Sequence, residues 1–145
     1  MNIARLTSTA SEIYGDYPKH PVPIQFNDDV EVYFQKGRYT VKTASTRSEL
    51  WQVYRLRFDV FHREFKNKKF PFGFDRDRYD QRAYHLIIGD NEINKVVGTY
   101  RLLCGFDAED FYSSSEFDIG DVLSRSGRKI ELSRACIHRS YRNGA

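Results

Sequence analysis

The stretch RKIELSRACIHRSYRNGA, residues 128–145, decides how the rest of the chain is read. Residues 128–138 carry Ile130, Leu132, Ala135, Cys136 and Ile137 and read as a strand, yet Glu131 and Arg134 stand in the middle of it. A carboxylate and a guanidinium held inside a sheet are costly unless each meets a partner. The two residues are an odd number of positions apart, so on a regular strand they point to opposite faces, and sharing one site requires a bulge between them. Residues 139–145 then read as a turn with a glycine.

A second arginine lies in an apolar strand. KVVGTYRLLC, residues 95–104, is the antiparallel return of a hairpin whose first arm is AYHLII, residues 83–88, with a turn at 89–92. In the return strand Val97, Thr99, Arg101 and Leu103 share one face, while Val96, Gly98, Tyr100 and Leu102 share the other. A third arginine belongs to a helix. Thr46-Arg47-Ser48-Glu49 is a capping box, and Leu50, Val53, Tyr54, Phe58, Phe61 and Phe65 follow at spacings of three and four, so one stripe faces a core through residue 65. Arg57, four residues after Val53 and four before Phe61, interrupts that stripe and calls for an anion. Either a structural salt bridge or a bound ligand supplies it. Three arginines and Glu131 on core elements suit a grip on a substrate carboxylate with a proton acceptor nearby, or equally a buried ion-pair network without substrate.

Between helix and hairpin, KNKKFPFGFDRDRYDQR, residues 66–82, is a long loop with room for a short helix. Asp77 and Asp80 either pair with arginines across a site or are solvated neighbours of Arg76, Arg78 and Arg82, and composition favours the second, since exposed ion pairs are common and weak. RYTVKT, residues 38–43, alternates as a half-buried strand, so the domain is expected to start at Arg38. Residues 1–37, with three prolines and no sustained period, read as an N-terminal extension. Residues 105–126 form an irregular polar connection with one helical turn.

The whole chain has 145 residues, 30% charged and 15% aromatic, with a formal net charge of +3. That size suits a single domain, and the mild, interspersed charge does not point to nucleic acid. No apolar run is long enough to span a bilayer, and the N-terminus lacks the apolar segment of a secretory signal. Cys104 and Cys136, each inside a strand, read as reduced thiols of a cytoplasmic protein. His20, His62, His85 and His138 have no metal-ligand spacing, so no metal is expected, and no serine sits in a nucleophile elbow.

RLRFDVF (55–61), DRDRYD (75–80), VVGTYRLL (96–103) and ELSRACIHRSYRNGA (131–145) follow one another in an order that resembles the GNAT-superfamily N-acyltransferases of the ornithine N-acyltransferase and acyl-homoserine-lactone synthase group, the former also called hemolysin-like. The resemblance covers residues 38–145, and its most specific part is E-L-S-R followed by H-x-x-Y-R-N-G-A. It implies an α+β fold, a mixed, mainly antiparallel sheet flanked by helices, of which residues 38–145 are the N-terminal part. On this reading the C-terminal part is missing, and the 145 residues alone are expected to transfer no acyl group.

The activity implied is transfer of a fatty acyl group from a thioester to the amine of a small amino acid such as ornithine, making an amino-acid lipid. The donor is an acyl carrier protein thioester or acyl-CoA, there is no tightly bound cofactor, and the partners are the acyl carrier protein and the amino-acid acceptor. By the same resemblance Glu131 is the general base, and Arg101 and Arg134 hold the acceptor carboxylate or balance charge. Arg57, Asp77 and Asp80 belong to the ordered loop over the acceptor pocket, while Arg142, Asn143 and Gly144 begin the phosphopantetheine-binding turn. A bulge in the strand of Glu131 is implied too, to polarise the thioester carbonyl. A lipid product is compatible with peripheral contact at the inner face of the membrane. The alternatives are an acyl-homoserine-lactone synthase, disfavoured because no tryptophan follows Phe61 closely and Trp51 precedes it, and a noncatalytic acyl-carrier or lipid-binding module.

Overall fold

A computed structural model describes residues 30–67 and 73–143. Five strands, β1 (Tyr33–Lys36), β2 (Tyr39–Thr43), β3 (Tyr84–Asp90), β4 (Lys95–Gly105) and β5 (Lys129–Ile137), lie side by side in chain order, and every pairing among them is antiparallel. Gly37, at φ +57°, makes the tight turn between β1 and β2, a conformation glycine reaches at little cost. The sheet thus begins at Tyr33 rather than at Arg38. All four residues of β1 are exposed, so no inward alternation marks that strand in the sequence.

Helix α1 (Arg47–Phe58) crosses one face of the sheet. Its start is the expected capping box: the Glu49 amide donates to Thr46 Oγ1 at 3.2 Å, and Glu49 Oε2 accepts from the Thr46 amide at 3.1 Å. Leu50, Val53 and Tyr54 pack on Ala44 and Ile87, and Leu56 and Val60 pack on Cys136. Beyond Phe58 the helix widens into a π-helical segment, Asp59–Phe65. The wider turn carries the chain out of phase with the three-four stripe, so Val60 is buried, while Phe65, expected on the core face, is 71% exposed.

Two register shifts position the rest. One between Ile88 and Gly89 of β3 brings Val96 against the helix-side clusters, whereas strict alternation puts it on the other face. Thr99, Arg101 and Leu103 keep the expected buried face, with Val97 also buried. β3 runs to Asp90, so the reversal falls at 91–94, with Asn94 at φ 50°. The second shift lies between Thr99 and Arg101: Thr99 faces Cys136, but Arg101 faces Ser133, leaving one extra residue in β5. Arg134 absorbs it with φ 51°.

The bulge reverses the phase of β5. Before it Glu131 and Ser133 turn inward, and after it Arg134 and Cys136 do, while Ile130, Leu132 and Ile137 are exposed on the outer side. Glu131, Ser133 and Arg134 thus share the interior side with Cys136, while the larger apolar side chains Ile130, Leu132 and Ile137 face out. Residues 106–128 hold 3-10 turns at Ala108–Asp110 and Ser113–Ser115 and a helical turn at Gly120–Leu123. Phe111 is buried there with Tyr79 and Leu103.

Candidate active site

The three arginines of α1, β4 and β5 meet three aspartates of the 73–82 loop. Asp77 and Asp80 start a 3-10 turn, Arg78–Gln81, through a reciprocal cap: the Tyr79 amide donates to Asp77 Oδ1 at 2.9 Å, and the Asp77 amide to Asp80 Oδ2 at 2.7 Å. That local structure fixes both carboxylates against the sheet. Asp80 is buried and Asp77 partly so, which overturns the solvated reading drawn from composition. A loop rich in both signs of charge resembles a solvated surface in sequence. Here three arginines arriving from regular elements draw its carboxylates inward.

The inner layer is closed. Arg57 is 0% exposed; its Nε donates to Asp75 Oδ1 at 2.9 Å and its Nη1 to Asp80 Oδ1 at 2.7 Å, while Nη2 reaches Asp75 and also Asp80 Oδ2. Burial works against the Arg57 charge, but Asp80 and Asp75 outweigh it and raise its pKa above the ordinary arginine value. Burial likewise opposes the charges of Asp75 and Asp80, and Arg57 outweighs it, holding both carboxyls below their usual range. His62 Nε2 lies 3.0 Å from Asp75 Oδ2. His85, packed edge-on to Tyr54 with its Nε2 3.7 Å from Asp80 Oδ1, is pushed down to about 4 by burial, against the pull of Asp80. It is neutral near pH 7.

The outer layer is open. Arg101 Nη1 chelates Asp77 at 2.7 and 2.8 Å, and its Nε donates to Ser133 Oγ at 3.0 Å, the residue its register partner supplies. Arg134 Nη2 donates to Asp77 Oδ2 at 3.3 Å, and its guanidinium carbon lies 5.9 Å from the centre of the Phe61 ring and 5.5 Å from that of Tyr112. The Tyr112 ring is also 5.7 Å from the Arg101 guanidinium carbon. The side chains of Arg134 and Asp77 retain 29% and 26% exposure, against none for Arg57, Asp80 and Arg101, so solvent enters at this edge.

Glu131 stands beside this edge, opposite Leu103 and two positions before Ser133. Its Oε2 accepts from the Ser113 amide at 2.9 Å. Its Oε1 is buried with no hydrogen-bond partner among the described residues, as are Arg101 Nη2 and Arg134 Nε. Arg134 Nε lies 3.4 Å from Asp75 Oδ1, an ion pair without hydrogen-bond geometry. Glu131 Oε1, Arg101 Nη2 and Arg134 Nε are three of six such atoms among the described residues, the others being Tyr84 Oη and both ring nitrogens of His85, and buried polar groups of this kind are open to contacts from outside the chain. A free carboxylate oxygen can take a proton, and the free guanidinium N–H groups can hold an anion.

The bulge therefore brings Glu131 and Arg134 to one face, and Asp77, Asp80, Arg57 and Arg101 join them. Arg142, assigned to the donor turn, is engaged elsewhere: its Nη1 donates to Glu64 Oε2 at 2.8 Å and its Nε to the Ile137 carbonyl at 2.8 Å. Asn143 is exposed, and Gly144 lies outside the described residues, as do residues 1–29 of the extension. Sequence reasoning assigns no role to Asp75, His62, His85, Ser133, Tyr112 or Ser113. Asp75 stands two positions before Asp77 in the same DRDRYD run, and that spacing is the signal that could have found it.

An antiparallel sheet bearing one helix across its face, a bulged strand and a carboxylate beside the bulge define an acyltransferase fold of the GNAT type. Residues 56–145 match the acetyltransferase (GNAT) domain family, and the chain belongs to that family. Among curated proteins it is similar to the L-ornithine N(alpha)-acyltransferase of Rhizobium meliloti, 36% identical over 70% of this chain and 39% of that protein. It is also similar to the L-ornithine N(alpha)-acyltransferase of Agrobacterium fabrum, 31% identical over 79% of the chain and 44% of the relative. That of Rhodobacter capsulatus is 29% identical over 74% of the chain and 46% of the relative. The chain thus spans less than half the length of these curated relatives. No solved structure gives a significant match. Among the described residues no helix is long and apolar enough to cross a membrane.

Proposed function

We propose that this chain carries the acceptor-binding and proton-accepting residues of an N-acyltransferase that moves a fatty acyl group from a thioester to the α-amine of ornithine or a closely similar amino acid. The donor is an acyl carrier protein thioester or, failing that, the coenzyme A thioester. Glu131 takes a proton from the acceptor ammonium onto Oε1, directly or through one water. The freed amine attacks the thioester carbonyl carbon, the tetrahedral intermediate collapses with cleavage of the C–S bond, and an amide and a thiol result. No covalent enzyme intermediate is needed. Backbone N–H groups freed from the ladder by the β5 bulge polarise the carbonyl oxygen.

The acceptor carboxylate is held by Arg134 and the free Nη2 of Arg101. Arg57, Asp75 and Asp80 touch no substrate on this reading; they hold Asp77 and Arg101 in place. The observation that carries the proposal is the Glu131 carboxylate, tied to Ser113 through one oxygen and unpartnered at the other, on the same face as Arg134.

The test is Glu131→Gln in the intact gene product, supplied with an acyl-loaded carrier protein and ornithine and read by mass spectrometry of acyl-ornithine. The substitution is expected to lower kcat about 10²–10⁴-fold with an unchanged melting temperature. Undiminished transfer removes Glu131 from the role. An acyl lactone formed only from S-adenosylmethionine replaces the acceptor, and a thioester bound but never consumed replaces the enzyme with a binding module.

A further inference from the structure

Arg134 reaches the opening with little hydrogen bonding to fix its direction. Its Nη2 makes one long bond, 3.3 Å to Asp77 Oδ2, and its Nε, 3.4 Å from Asp75 Oδ1, makes none among the described residues. Arg57 and Arg101 are held by shorter bonds, to Asp75 and Asp80 and to Asp77 and Ser133. A long side chain with one weak bond samples several rotamers unless packing limits it. Two aromatic rings supply that packing. The Arg134 guanidinium carbon lies 5.9 Å from the centre of the Phe61 ring and 5.5 Å from that of Tyr112, both within the range over which a ring attracts a cation. The rings come from separate elements, Phe61 from the π-helical segment and Tyr112 from the connection between β4 and β5.

Tyr112 is itself fixed at both ends. Its neighbour Phe111 is buried with Tyr79 and Leu103, and its carbonyl accepts from the Ser115 amide at 3.0 Å and from Ser115 Oγ at 2.7 Å. At the tip of the side chain, Oη donates to Glu116 Oε1 at 2.5 Å. The ring also meets that of Tyr79 edge-on at 5.7 Å, and Tyr79 sits in the 3-10 turn that Asp77 and Asp80 cap. Just after that turn, Arg82 donates to Asp110 Oδ1 at 3.0 Å and to the Glu109 carbonyl. The two irregular segments that supply the opening are thus fastened to one another, and Tyr112 stands where they meet. The next residue, Ser113, gives its amide to Glu131.

We infer that Tyr112 is a positioning residue whose ring clamps the Arg134 guanidinium, so that the N–H groups without protein partners stand ready for a carboxylate of the acceptor. This deepens the proposed function and rests on it for the identity of the acceptor. An aromatic surface suits the task better than another acidic side chain. A further anion would pair with Arg134 and compete with the ligand, whereas a ring attracts the cation and leaves its N–H groups free. Ordering the arginine before the ligand arrives also lowers the entropy lost on binding. An acceptor with a free carboxylate therefore gains from the clamp, and one whose carboxylate is masked as an amide does not.

The experiment uses the intact gene product with Tyr112→Leu and Tyr112→Phe, and compares ornithine with ornithinamide, in which a neutral amide replaces the carboxylate. Equilibrium binding of each is measured without acyl donor, followed by steady-state kinetics with it. Tyr112→Leu is expected to weaken ornithine binding and raise its KM about tenfold, with kcat changed less than about twofold and ornithinamide binding unchanged. Tyr112→Phe, which keeps the ring, restores the affinity for ornithine. In the ligand-free protein the Arg134 Nε–H NMR signal is displaced by the ring in the wild type and in Tyr112→Phe, and returns toward the ordinary arginine position in Tyr112→Leu. Unchanged ornithine affinity in Tyr112→Leu overturns the inference. So does an equal loss for ornithine and ornithinamide, which marks packing alone. A wild-type signal already at the ordinary position overturns it whatever the variants do. A wild type that binds ornithine yet acylates no amine ends the proposed function, while weaker ornithine binding by Tyr112→Leu still upholds the clamp.

Discussion

Arg57 shows how a single buried side chain can gather a cluster of charges that opens to solvent elsewhere. Its guanidinium donates to Asp75 and Asp80, and neither it nor Asp80 reaches solvent. Arg57→Met takes from two buried carboxylates their nearest cation, leaving Arg134 and Arg101 at 3.4 Å, and is expected to cost about 3–5 kcal/mol, read as a lower urea midpoint. Replacing Asp75 and Asp80 by leucine in the same protein is expected to restore much of that loss, because the penalty lies in the stranded charges. No recovery would argue that the cation itself is required. Of the two readings that spacing leaves open for Arg57, the geometry meets the first, an internal ion pair. The spacing locates the arginine but not its partners, since Asp75 and Asp80 come from a loop whose path no periodicity predicts.

Among the elements, the helix and β5 are legible to different depths. The capping box and the Leu50–Val53–Tyr54 stripe follow from local chemistry, and both stand as expected. The π-helical widening after Phe58 could not be read, because the three-four spacing of Phe58, Phe61 and Phe65 does not distinguish a π turn from an α turn. Gly73 lies tight against the helix: a Cβ there would run into the Phe58 ring, which itself stacks on His62 at 5.2 Å. Gly73→Ala is therefore expected to destabilise by about 1–3 kcal/mol, with a matching loss of order in the His62–Asp75 contact visible in the histidine NMR signals. A neutral effect on stability would mean that the loop backs away freely. In β5 the odd spacing of Glu131 and Arg134 demands a bulge for a shared site, and the left-handed turn at Arg134 supplies it. The position of that bulge is not visible in the sequence, since arginine is no signature of positive φ.

For the molecule as a whole, acid is the informative perturbation. His85 is held near 4 by burial, against 6.5 for the free side chain. Between those values the unfolded chain binds a proton that the folded one refuses, so stability falls as pH drops from about 6.5 to 4, by about 3 kcal/mol from this residue. Asp75 and Asp80, with lowered pKa values, keep their contributions to lower pH still. Urea titrations at pH 7 and pH 4.5 should show this slope in the wild type and lose most of it in His85→Leu; an equal slope in both would place the titration elsewhere. The β3–β4 hairpin is readable from its turn and the strand character of its two arms, and β2 from its alternation, whereas β1 buries nothing and so reads as part of the extension.

β5 is turned inside out, with Glu131, Ser133 and Arg134 toward the interior and Ile130, Leu132 and Ile137 toward the outside. The side of the sheet that can do chemistry and the side that is adhesive are separated by the thickness of one backbone layer. Leu132 stands directly between Glu131 and Ser133. Whatever presses on the outer hydrocarbon therefore acts on the Glu131 carboxylate and on Ser133, the anchor of Arg101, through a lever one residue long.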